Sequence, residues 1–331
     1  MTILGIETSC DETAAAIVEI TDKQVKLIAN VIASSLDLHA KTGGVIPEIA
    51  ARKQIEYILP IIDKALATAP TIDAIAVTVG PGLIGSLLVG VETAKTLSYV
   101  YNKPILPVNH LFGHIYANWI DKESPIEFPA LALVISGGHT DLVLMRNHKD
   151  ITWLGGTRDD AAGEAFDKIG RLLGLPYPAG ATIEKLANKG NPKAYNFPRP
   201  LMYDKAYDFS FSGLKTAALR EVQKIQHMDN ETIANICAST QAAIIDVVVY
   251  KTLKAAQEYN VKSILLGGGV AANGTLRQVL ETSCKNLKVN LFVPDKKLCT
   301  DNGAMIAAAG YFQQGSTSWP NISANPELYF D

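Results

Sequence analysis

The chain has 331 residues, of which 48% are hydrophobic and 19% charged, and its 30 basic and 33 acidic residues give a formal net charge of −3. This composition excludes a mainly disordered chain, because so much apolar surface with so little net charge collapses into a core. It also excludes a globally basic nucleic-acid-binding protein, so RNA phosphates would have to meet a local patch or a second protein. The length predicts about two domains.

The cysteines and the N-terminal residues indicate the compartment. The four cysteines are far apart and form no C-x-x-C pair, which argues against a disulfide framework or a four-thiolate zinc site and favours a reducing environment. Glu7, Asp11 and Glu12 stand where a signal peptide would need a basic flank and a longer apolar run. No apolar stretch approaches the roughly 18 to 20 residues that span a bilayer. We therefore expect a soluble, cytoplasmic protein.

The chain opens as a predicted β-hairpin, with a strand over 2–8, a polar turn and a second strand over 13–20. Residues 130–146 repeat this plan around a turn at Gly137 to Thr140. Two later segments each predict a strand, a glycine loop and a helix: 72–97 and 261–281. The sequence therefore predicts a duplicated α/β protein.

A duplicated α/β chain that begins with a hairpin is typical of the actin/Hsp70/sugar-kinase (ASKHA) superfold, in which nucleotide phosphates lie between two hairpin turns. We expect two lobes with a cleft between them, lined by the turns that follow the strands. The first lobe is predicted over 1–127, with a C-terminal helix at 301–331 packing back onto it. The second is predicted over 128–300, with an insertion around 157–216 where Pro, aromatic and Lys residues concentrate.

Two histidines stand one helical turn apart in the segment 108–117. Its apolar spacing predicts a helix, so His110 and His114 leave the same face and can converge on one ion. Surface or packing histidines are about as common as ligands in such a pair, so a third ligand has to decide. Asp301 opens an Ala-rich helix and would complete a two-histidine, one-carboxylate set suited to iron(II) or zinc; its alternative role is an N-cap. Leu111 occupies the position where a zinc peptidase carries its catalytic Glu.

Glycine-rich turns are the candidate nucleotide-binding elements. Gly137 and Gly138 follow Ser136, and their backbone N–H groups can hold phosphate oxygens, although an ordinary hairpin turn has the same sequence. A glycine run at 267–269 ends an apolar strand and lets a purine or ribose approach the backbone. Asn273, just beyond this run, either hydrogen-bonds such a ligand or caps the following helix.

Carboxylates occur in two further places. Asp160, Glu164 and Asp167 follow i, i+4, i+7 spacing on a predicted helix, where a solvated acidic face is the usual outcome and ligand contact by Asp167 is the alternative. In the first hairpin turn, Asp11 and Glu12 either order a water or a cation near phosphates or stabilise the turn. We take Asp11 and Glu12 as candidate catalytic residues.

Residues 185–224 combine positive charge with aromatic rings. Eight basic residues stand against three acidic ones, and six tyrosines and phenylalanines are interleaved among them. This combination is typical of contact with single-stranded RNA. The rings can equally well pack beneath a long insertion.

Eight blocks across nearly the whole chain resemble the TsaD family, in the form found in its bacterial or organellar branch. In family order the blocks are IETSCDET (6–13), NHLFGHI (109–115), VISGGHTDL (134–142), DDAAGEAFDKIGRLLGLPYP (159–178), NFPRP (196–200), DFSFSGLKTA (208–217), GGGVAAN (267–273) and LCTDNGAMIA (298–307). The resemblance implies an acyltransferase that moves a threonylcarbamoyl group from threonylcarbamoyl-AMP to the N6 amine of the adenosine 3′ to the anticodon. The tRNAs concerned read codons that begin with A.

The resemblance also implies the ligands and partners. His110, His114 and Asp301 would hold one divalent metal ion, Fe2+ in preference to Zn2+. The threonylcarbamoyl-adenylate would lie against Val134, Ile135, Ser136, Gly137, Gly138, Asp167, Gly180, Glu184 and Asn273. The second substrate is tRNA, and a TsaB-like paralogue and a TsaE-like ATPase are the expected companions. Phe112 stands where many relatives carry Glu, which puts in question any role of a carboxylate between the two histidines.

Three other classes of protein compete with this interpretation. A kinase or ATPase of the same superfold would use Mg²⁺-ATP and a carboxylate base, and would leave the two histidines unexplained. A metallopeptidase needs a base near its metal and does not need the glycine turns. A non-catalytic scaffold with the same fold would lack the metal ligands.

Overall fold

The computed structural model describes residues 1–22, 24–69, 71–313 and 315–330. These residues form two compact units. The first comprises Met1–Ile126 and the segment from Pro294 onward, and the second comprises Glu127–Val293. The chain therefore leaves its first unit once and returns to it near the end.

The described residues contain ten strands, ten α-helices and four short 3₁₀ turns. The strands are β1 (Thr2–Glu7), β2 (Glu12–Ile20), β3 (Val25–Ser34), β4 (Ala74–Gly80), β5 (Ile105–Asn109), β6 (Ala130–Ile135), β7 (Thr140–Met145), β8 (Ile151–Gly156), β9 (Ser263–Gly267) and β10 (Asn290–Phe292). The helices are α1 (Leu36–Thr42), α2 (Pro47–Leu66), α3 (Ile84–Tyr101), α4 (His110–Tyr116), α5 (Ala162–Leu172), α6 (Gly180–Ala187), α7 (Ser212–Lys224), α8 (Asn230–Glu258), α9 (Gly274–Leu287) and α10 (Gly303–Gln313). Both predicted hairpins and both strand–loop–helix segments are confirmed.

The two units repeat one sheet topology. The strand order is β3-β2-β1-β4-β5 in the first unit and β8-β7-β6-β9-β10 in the second. In each unit the first three strands are antiparallel neighbours, and the last two run parallel to the opening strand. This match confirms the duplicated α/β plan that the sequence predicts.

Continuous apolar runs place the central strands in the cores of the two units. Every residue of β4, β6, β7 and β9 is buried, as expected of strands that are covered on both faces. The antiparallel edge strand β3 is only partly buried. The turns at the ends of the buried strands are therefore held on a rigid support.

The longest helix, α8, corrects one prediction. It is long and apolar enough to cross a membrane by length and composition, so the expectation that no segment reaches this length is wrong. However, 72% of its most apolar window is buried inside the protein. Asp229 caps its start by accepting a hydrogen bond of 2.8 Å from Thr232 N. We therefore describe α8 as the core helix of the second unit.

Two helix boundaries also differ from the predictions. The C-terminal helix spans Gly303–Gln313 and not the whole of 301–331. Helix α5 begins at Ala162, so Asp160 precedes it and does not share its face in the predicted way. Asp160 and Glu164 nevertheless both contact Lys168 Nζ, at 2.6 and 2.8 Å. This lysine offsets the acidic charge of the segment.

Candidate metal centre and glycine turn

The two histidines lie at the start of α4, directly after β5. Asn109 caps the helix, because its Oδ1 accepts a 2.8 Å hydrogen bond from Leu111 N. His110 and His114 are one turn apart, and their ring centroids are separated by 4.7 Å. They are 6% and 1% exposed, respectively. This confirms the helix and the common face, and it excludes the alternative of surface histidines.

Asp301 reaches the same place from the far end of the chain. Its Oδ1 lies 3.5 Å from His110 Nε2 and 3.4 Å from His114 Nε2. The alternative role as an N-cap belongs to its neighbour, since Asn302 Oδ1 accepts the 2.9 Å hydrogen bond from Met305 N. The Asp301 carboxylate is therefore directed to the histidines and not to a helix end.

Small residues let α10 approach β1 and α4 closely enough to bring these groups together. A Cβ atom added to Gly5 would lie 2.0 Å from Gly303 O, and one added to Gly113 would lie 2.8 Å from Ile306 Cδ1. Gly5 is thus required by close packing against a backbone oxygen, and a Cβ atom at Gly113 would need the end of the Ile306 side chain to shift. The approach places Asp301, two residues before α10, beside the start of α4.

The three side chains fit a single divalent ion. Each offers one ligand atom, and these atoms all lie within 4.8 Å of one another. Metal–ligand bonds of about 2.0 to 2.2 Å in a tetrahedral arrangement put neighbouring donors about 3.4 Å apart, close to the two distances from Asp301 Oδ1. Two imidazoles and one carboxylate suit iron(II) or zinc. These residues can therefore hold one metal ion.

The Glu7 carboxylate contacts His110 at Nδ1, the ring nitrogen opposite the one that faces Asp301. This carboxylate is fully buried, and its Oε2 lies 3.0 Å from His110 Nδ1. Ser9 N and the Thr78 hydroxyl also donate hydrogen bonds to it. In a neutral imidazole this arrangement puts the proton on Nδ1 and leaves the lone pair on Nε2, the atom that faces Asp301. Such a carboxylate–histidine pair orients and strengthens a metal ligand.

Acidic groups dominate the electrostatics of this region. Burial, together with the charges of Glu7 and Asp11, raises the pKa of Asp301 to about 6, although His110 opposes this. Burial alone would lower the pKa of His110, but Asp301 and Glu7 raise it to about 9. Burial and the charges of Asp301 and Asp11 raise the pKa of Glu12 to about 10. A buried group of carboxylates of this kind favours a bound cation.

The first hairpin turn carries Asp11 and Glu12 and is fixed by α2. The buried Gln54 Nε2 donates to Cys10 O at 2.9 Å and to Glu12 O at 3.1 Å. Ser35 donates to Asp11 O from its backbone N–H and its hydroxyl. These bonds stabilise the turn through its backbone, and the Asp11 and Glu12 side chains share a hydrogen bond with each other.

The equivalent turn of the second unit contains Ser136, Gly137 and Gly138. Ser136 N donates to His139 O at 2.8 Å, and its carbonyl accepts from Gly163 N at 3.1 Å. Gly137 and Gly138 are exposed, and a Cβ atom at either position would meet nothing within 4 Å. Packing therefore does not require glycine at these two positions, and the backbone is open to a ligand.

Val134 and Ile135, just before this turn, are completely or almost completely buried in β6. Gly268 has a φ of +92°, and its Cβ position lies 2.4 Å from Ile135 O. Glycine is required there for the close approach of the loop after β9 to β6.

Asp167 and Glu184 connect three helices of the second unit. Asp167 Oδ1 accepts a 2.7 Å hydrogen bond from Ala179 N at the start of α6, and burial raises its pKa. Glu184 Oε1 accepts a 2.7 Å bond from Gly274 N at the start of α9. Gly180 has open space around its Cβ position. Both carboxylates thus accept hydrogen bonds from the backbone at the start of a helix, Asp167 from Gly180 as well as from Ala179.

Asn273 caps helix α9, which is one of the two roles that the sequence predicted for it. Its Oδ1 accepts a 2.9 Å hydrogen bond from Leu276 N, and its Nδ2 donates to Gln241 Oε1 at 2.9 Å. The side chain is 8% exposed. Any contact with a ligand would have to be added to these two bonds.

Phe112 fills its position with an apolar contact. The side chain is 9% exposed and packs edge to face on Phe330, with ring centroids 5.4 Å apart. Asn109 Nδ2 donates to Tyr329 O in the same region. The C-terminal segment thus covers Phe112.

Sequence reasoning did not identify Glu7 or Gln54 as parts of this region. Glu7 pairs with a histidine 103 residues later, and Gln54 lies on a helix 44 residues after the turn that it holds. The available signal was polarity at apolar positions: Glu7 ends an otherwise apolar strand, and Gln54 lies on the buried face of α2.

Comparison with known proteins decides the family. The family model for TsaD, described as tRNA N6-adenosine threonylcarbamoyltransferase, matches residues 26–308. The chain belongs to this family. It is 49% identical to the tRNA N6-adenosine threonylcarbamoyltransferase of Moorella thermoacetica over 98% of this chain and 96% of that protein. It is 51% identical to the protein of the same name from Symbiobacterium thermophilum over 94% and 91% of the two chains.

One solved structure is similar to this chain in its fold. Full-length HypF, in a phosphate- and nucleotide-bound form, matches with a TM-score of 0.61 at 13% identity. The match covers 96% of this chain and 56% of that chain, so this chain spans little more than half of HypF. At this identity the likeness shows the α/β fold alone.

Proposed function

We propose that this chain transfers the threonylcarbamoyl group from threonylcarbamoyl-AMP to the N6 amine of the adenosine 3′ to the anticodon, in tRNAs that read codons beginning with A, and releases AMP. Membership of the TsaD family carries this proposal. The convergence of His110, His114 and Asp301 supports it, because a sugar kinase has no use for such a set. A kinase, an ATPase and a metallopeptidase are not favoured, since the similar proteins are named as transferases.

The proposed reaction forms one bond and breaks another. The N6 amine attacks the carbamoyl carbon, and the bond from this carbon to the phosphate oxygen of AMP breaks. AMP leaves with the electron pair, and the amine loses one proton. Since the mixed anhydride already stores the required energy, the chain does not need to hydrolyse ATP, and catalysis consists mainly of positioning and charge stabilisation.

We assign His110, His114 and Asp301 to one divalent metal ion, iron(II) in preference to zinc. Support comes from the donor set, since two histidines and one carboxylate with open positions are typical of non-haem iron(II) sites. A metal bound there supplies Lewis-acid polarisation of a substrate oxygen. Glu7 orients His110, and the packing of α10 on α4 keeps Asp301 within reach.

Asp11 and Glu12 are assigned to the catalytic step. Both lie in a turn whose backbone is fixed by Gln54 and Ser35, so their carboxylates are held near the metal ligands of the same unit. The electrostatic effect of Asp11 on Asp301 supports this proximity. Their proposed role is to order a water or the bound cation next to the substrate.

The adenylate is assigned to the second unit. The exposed N–H groups of Gly137 and Gly138, with the Ser136 hydroxyl, would hold its phosphate. Hydroxyl and amine groups of the ligand would meet Asp167, Glu184 and the backbone at Gly180. We also assign ligand contacts to the backbone of Val134 and Ile135. The last assigned contact is the side-chain amide of Asn273, which already forms two hydrogen bonds within the protein.

A helix pair of the first unit supports the expected partnership with a TsaB-like paralogue. Apolar side chains of α2 and α3 line an open groove of about 570 Å³, and Ile55 and Leu59 are 65% and 63% exposed. Exposed apolar patches of this kind mark protein–protein contacts. We assign this face to the paralogue, with a TsaE-like ATPase as a second companion and the cytoplasm as the compartment.

Reconstitution tests the proposed function. The purified chain would be incubated with synthetic threonylcarbamoyl-AMP, unmodified tRNA and the candidate partners, and the tRNA nucleosides would be identified by mass spectrometry. We expect threonylcarbamoyladenosine only when the adenylate is present. If ATP alone is consumed, or if the adenylate yields no modified nucleoside with any partner, the proposal is wrong.

A further inference from the structure

A groove in the second unit combines positive charge, stacked rings and amide groups. It has a volume of about 820 Å³ and lies between the segment 194–197 and helix α7. Its lining includes Tyr195, Asn196 and Phe197 on one side and Arg220, Glu221 and Lys224 on the other, so the cations outnumber the single carboxylate. Residues 194–224 lie within the segment in which the sequence concentrates basic and aromatic residues.

The cations of the groove are available to an anionic partner. Arg220 and Lys224 are four residues apart on α7, so they point to the same side of the helix, and both are exposed. Within the described part of the chain, no ion pair is found for Arg220. Lys224 pairs with Glu221 at 2.7 Å, but both side chains are solvent-exposed, and such pairs contribute little and exchange readily.

The aromatic wall is preformed. Phe197 is 2% exposed and forms the base, and Tyr195 stacks on it with ring centroids 5.7 Å apart and an interplanar angle of 11°. Tyr195 itself is only half-buried. A parallel pair with one partly exposed ring is a platform on which a further flat group, such as a nucleobase, can stack.

Both walls are tied to the core of the unit, so the groove does not depend on a mobile loop. Tyr195 N donates to Ser239 Oγ on α8 at 3.1 Å. Arg199, which follows the aromatic wall, is committed to Asp246 of α8 at 2.8 Å. On the other side, Asp159 accepts hydrogen bonds from Phe211 N, just before α7, and from Ser212 N, its first residue. Preorganisation of this kind reduces the entropy lost on binding.

We propose that this groove binds a single-stranded segment of tRNA, with Arg220 and Lys224 on its phosphates and Tyr195 stacked on one of its bases. The proposal rests on the proposed function, because it takes tRNA as the partner. Stacked rings together with cations favour RNA over an acidic protein surface, which would need the charges alone. A local patch of this kind is what a chain with a net charge of −3 requires to meet RNA phosphates.

Direct binding of unmodified tRNA, without the adenylate, tests the proposal. Arg220→Glu and Lys224→Glu should each weaken binding roughly tenfold, and each should reduce the slope of log K against log salt by about one. Tyr195→Leu should weaken binding with no change in this slope, and Tyr195→Phe should restore it, because stacking needs the ring and not the hydroxyl. Lys149→Glu is the matched control: it makes the same charge change at an exposed position of the same unit outside the groove.

Steady-state transfer assays give an independent measurement. The groove variants should raise the KM for tRNA and leave both kcat and the KM for the adenylate unchanged. Wild-type tRNA affinity and salt slope in the Arg220→Glu, Lys224→Glu double variant would overturn the proposal. So would a variant that keeps its tRNA affinity and instead loses a protein partner, since the groove would then serve an acidic protein surface.

The design separates this proposal from the proposed function. Weakened tRNA binding in the variants, in a chain that makes no threonylcarbamoyladenosine, would support the groove and contradict the transfer reaction. Normal transfer with unchanged tRNA affinity in every groove variant would support the reaction and overturn the groove. A wild-type chain that binds tRNA no better than the double variant would also overturn it.

Discussion

The first hairpin turns of the two units share a place in the topology and differ in their chemistry. The turn after β1 carries Asp11 and Glu12 and lies beside a buried group of carboxylates. The Gln54 side chain stabilises the backbone of this turn by hydrogen bonds. The turn after β6 carries Gly137 and Gly138, is exposed and has open space around both glycines. The first arrangement suits a cation and the second suits an anion.

This difference shows how a duplicated fold can place different chemical groups at equivalent turns. The repeated sheet determines where each turn lies, and the side chains decide what the turn attracts. Four predictions test the two units in turn, from the largest expected effect to the smallest.

Removal of a metal ligand should have the largest effect. His110→Ala and Asp301→Ala should each lower the rate of threonylcarbamoyl transfer by more than about 100-fold, since loss of a ligand exceeds the effect of losing its supporting contacts. His227→Ala, at an exposed histidine outside the three-residue set, is the control. Full activity in both ligand variants would contradict the assignment of the cation site.

A side chain that obstructs the glycine turn should weaken binding of the adenylate and leave the fold unchanged. Gly137→Val adds a side chain where nothing lies within 4 Å, so the fold should tolerate it and a ligand should not. The KM for threonylcarbamoyl-AMP should rise about tenfold or more, as expected for weakened hydrogen bonds to a charged group, with the melting temperature unchanged. Gly315→Val, also in open space, is the control. An unaltered KM for threonylcarbamoyl-AMP would contradict the anion-binding role of this turn.

Loss of the charge on Glu7 should weaken the metal site without abolishing it. Glu7→Gln keeps the size of the side chain but no longer offers a carboxylate to His110 Nδ1, and metal affinity should fall about 10- to 100-fold. Competition with a chromophoric chelator measures this affinity independently of activity. Glu19→Gln, at an exposed position of the neighbouring strand β2, should change nothing. Equal affinities in the two variants would show that Glu7 does not orient the ligand.

Asp159→Asn should have the smallest effect, on the stability of the second unit. Burial would raise the pKa of Asp159, but hydrogen bonds from Ser210, Phe211 and Ser212 hold it below its ordinary value. The lowered pKa means that the carboxylate stabilises the fold above its unfolded-state pKa, and that this contribution is lost as the pH falls through the folded-state pKa. Because solvent screens this exposed carboxylate, we expect a loss of only about 0.5 kcal/mol at neutral pH, which disappears in acid.

Thermal melting between neutral and acidic pH measures this last effect. The melting temperatures of the wild type and the Asp159→Asn variant should converge as the pH falls, and the control Asp63→Asn, at an exposed position of α2, should follow the wild type throughout. If the two melting temperatures still differ by the same amount in acid, the loss of stability comes from the altered shape of the side chain and not from its lost charge.

Local patterns were sufficient to predict the repeated fold and the histidine pair. Each hairpin consists of two short apolar runs separated by a polar or glycine turn, which predicts strand, turn and strand, and the i, i+4 spacing of His110 and His114 is a property of one helical turn. Asp301 could be proposed because a third ligand was needed, but its distance to the histidines depends on glycine-mediated packing of α10, which local sequence does not reveal.

The parts that sequence reasoning missed are long-range or have two possible roles. Glu7 meets His110 only after strands distant in sequence have paired, so no motif announces it. Asn273 could equally cap a helix or bind a ligand, and the structure shows the cap. The apolar helix α8 also carries two charges, which the structure accommodates differently: Asp246 is exposed and pairs with Arg199, whereas the buried Lys251 donates to Ala206 O.

Metal stoichiometry is the most direct test of the central claim that three side chains from distant parts of the chain hold one ion. The wild-type protein, the single variants His110→Ala, His114→Ala and Asp301→Ala, and the control His227→Ala would be loaded anaerobically with iron(II), freed of unbound metal and analysed by elemental mass spectrometry. The account predicts one ion per chain in the wild type and the control, and none in any of the three ligand variants. One ion per chain in all five proteins would contradict it.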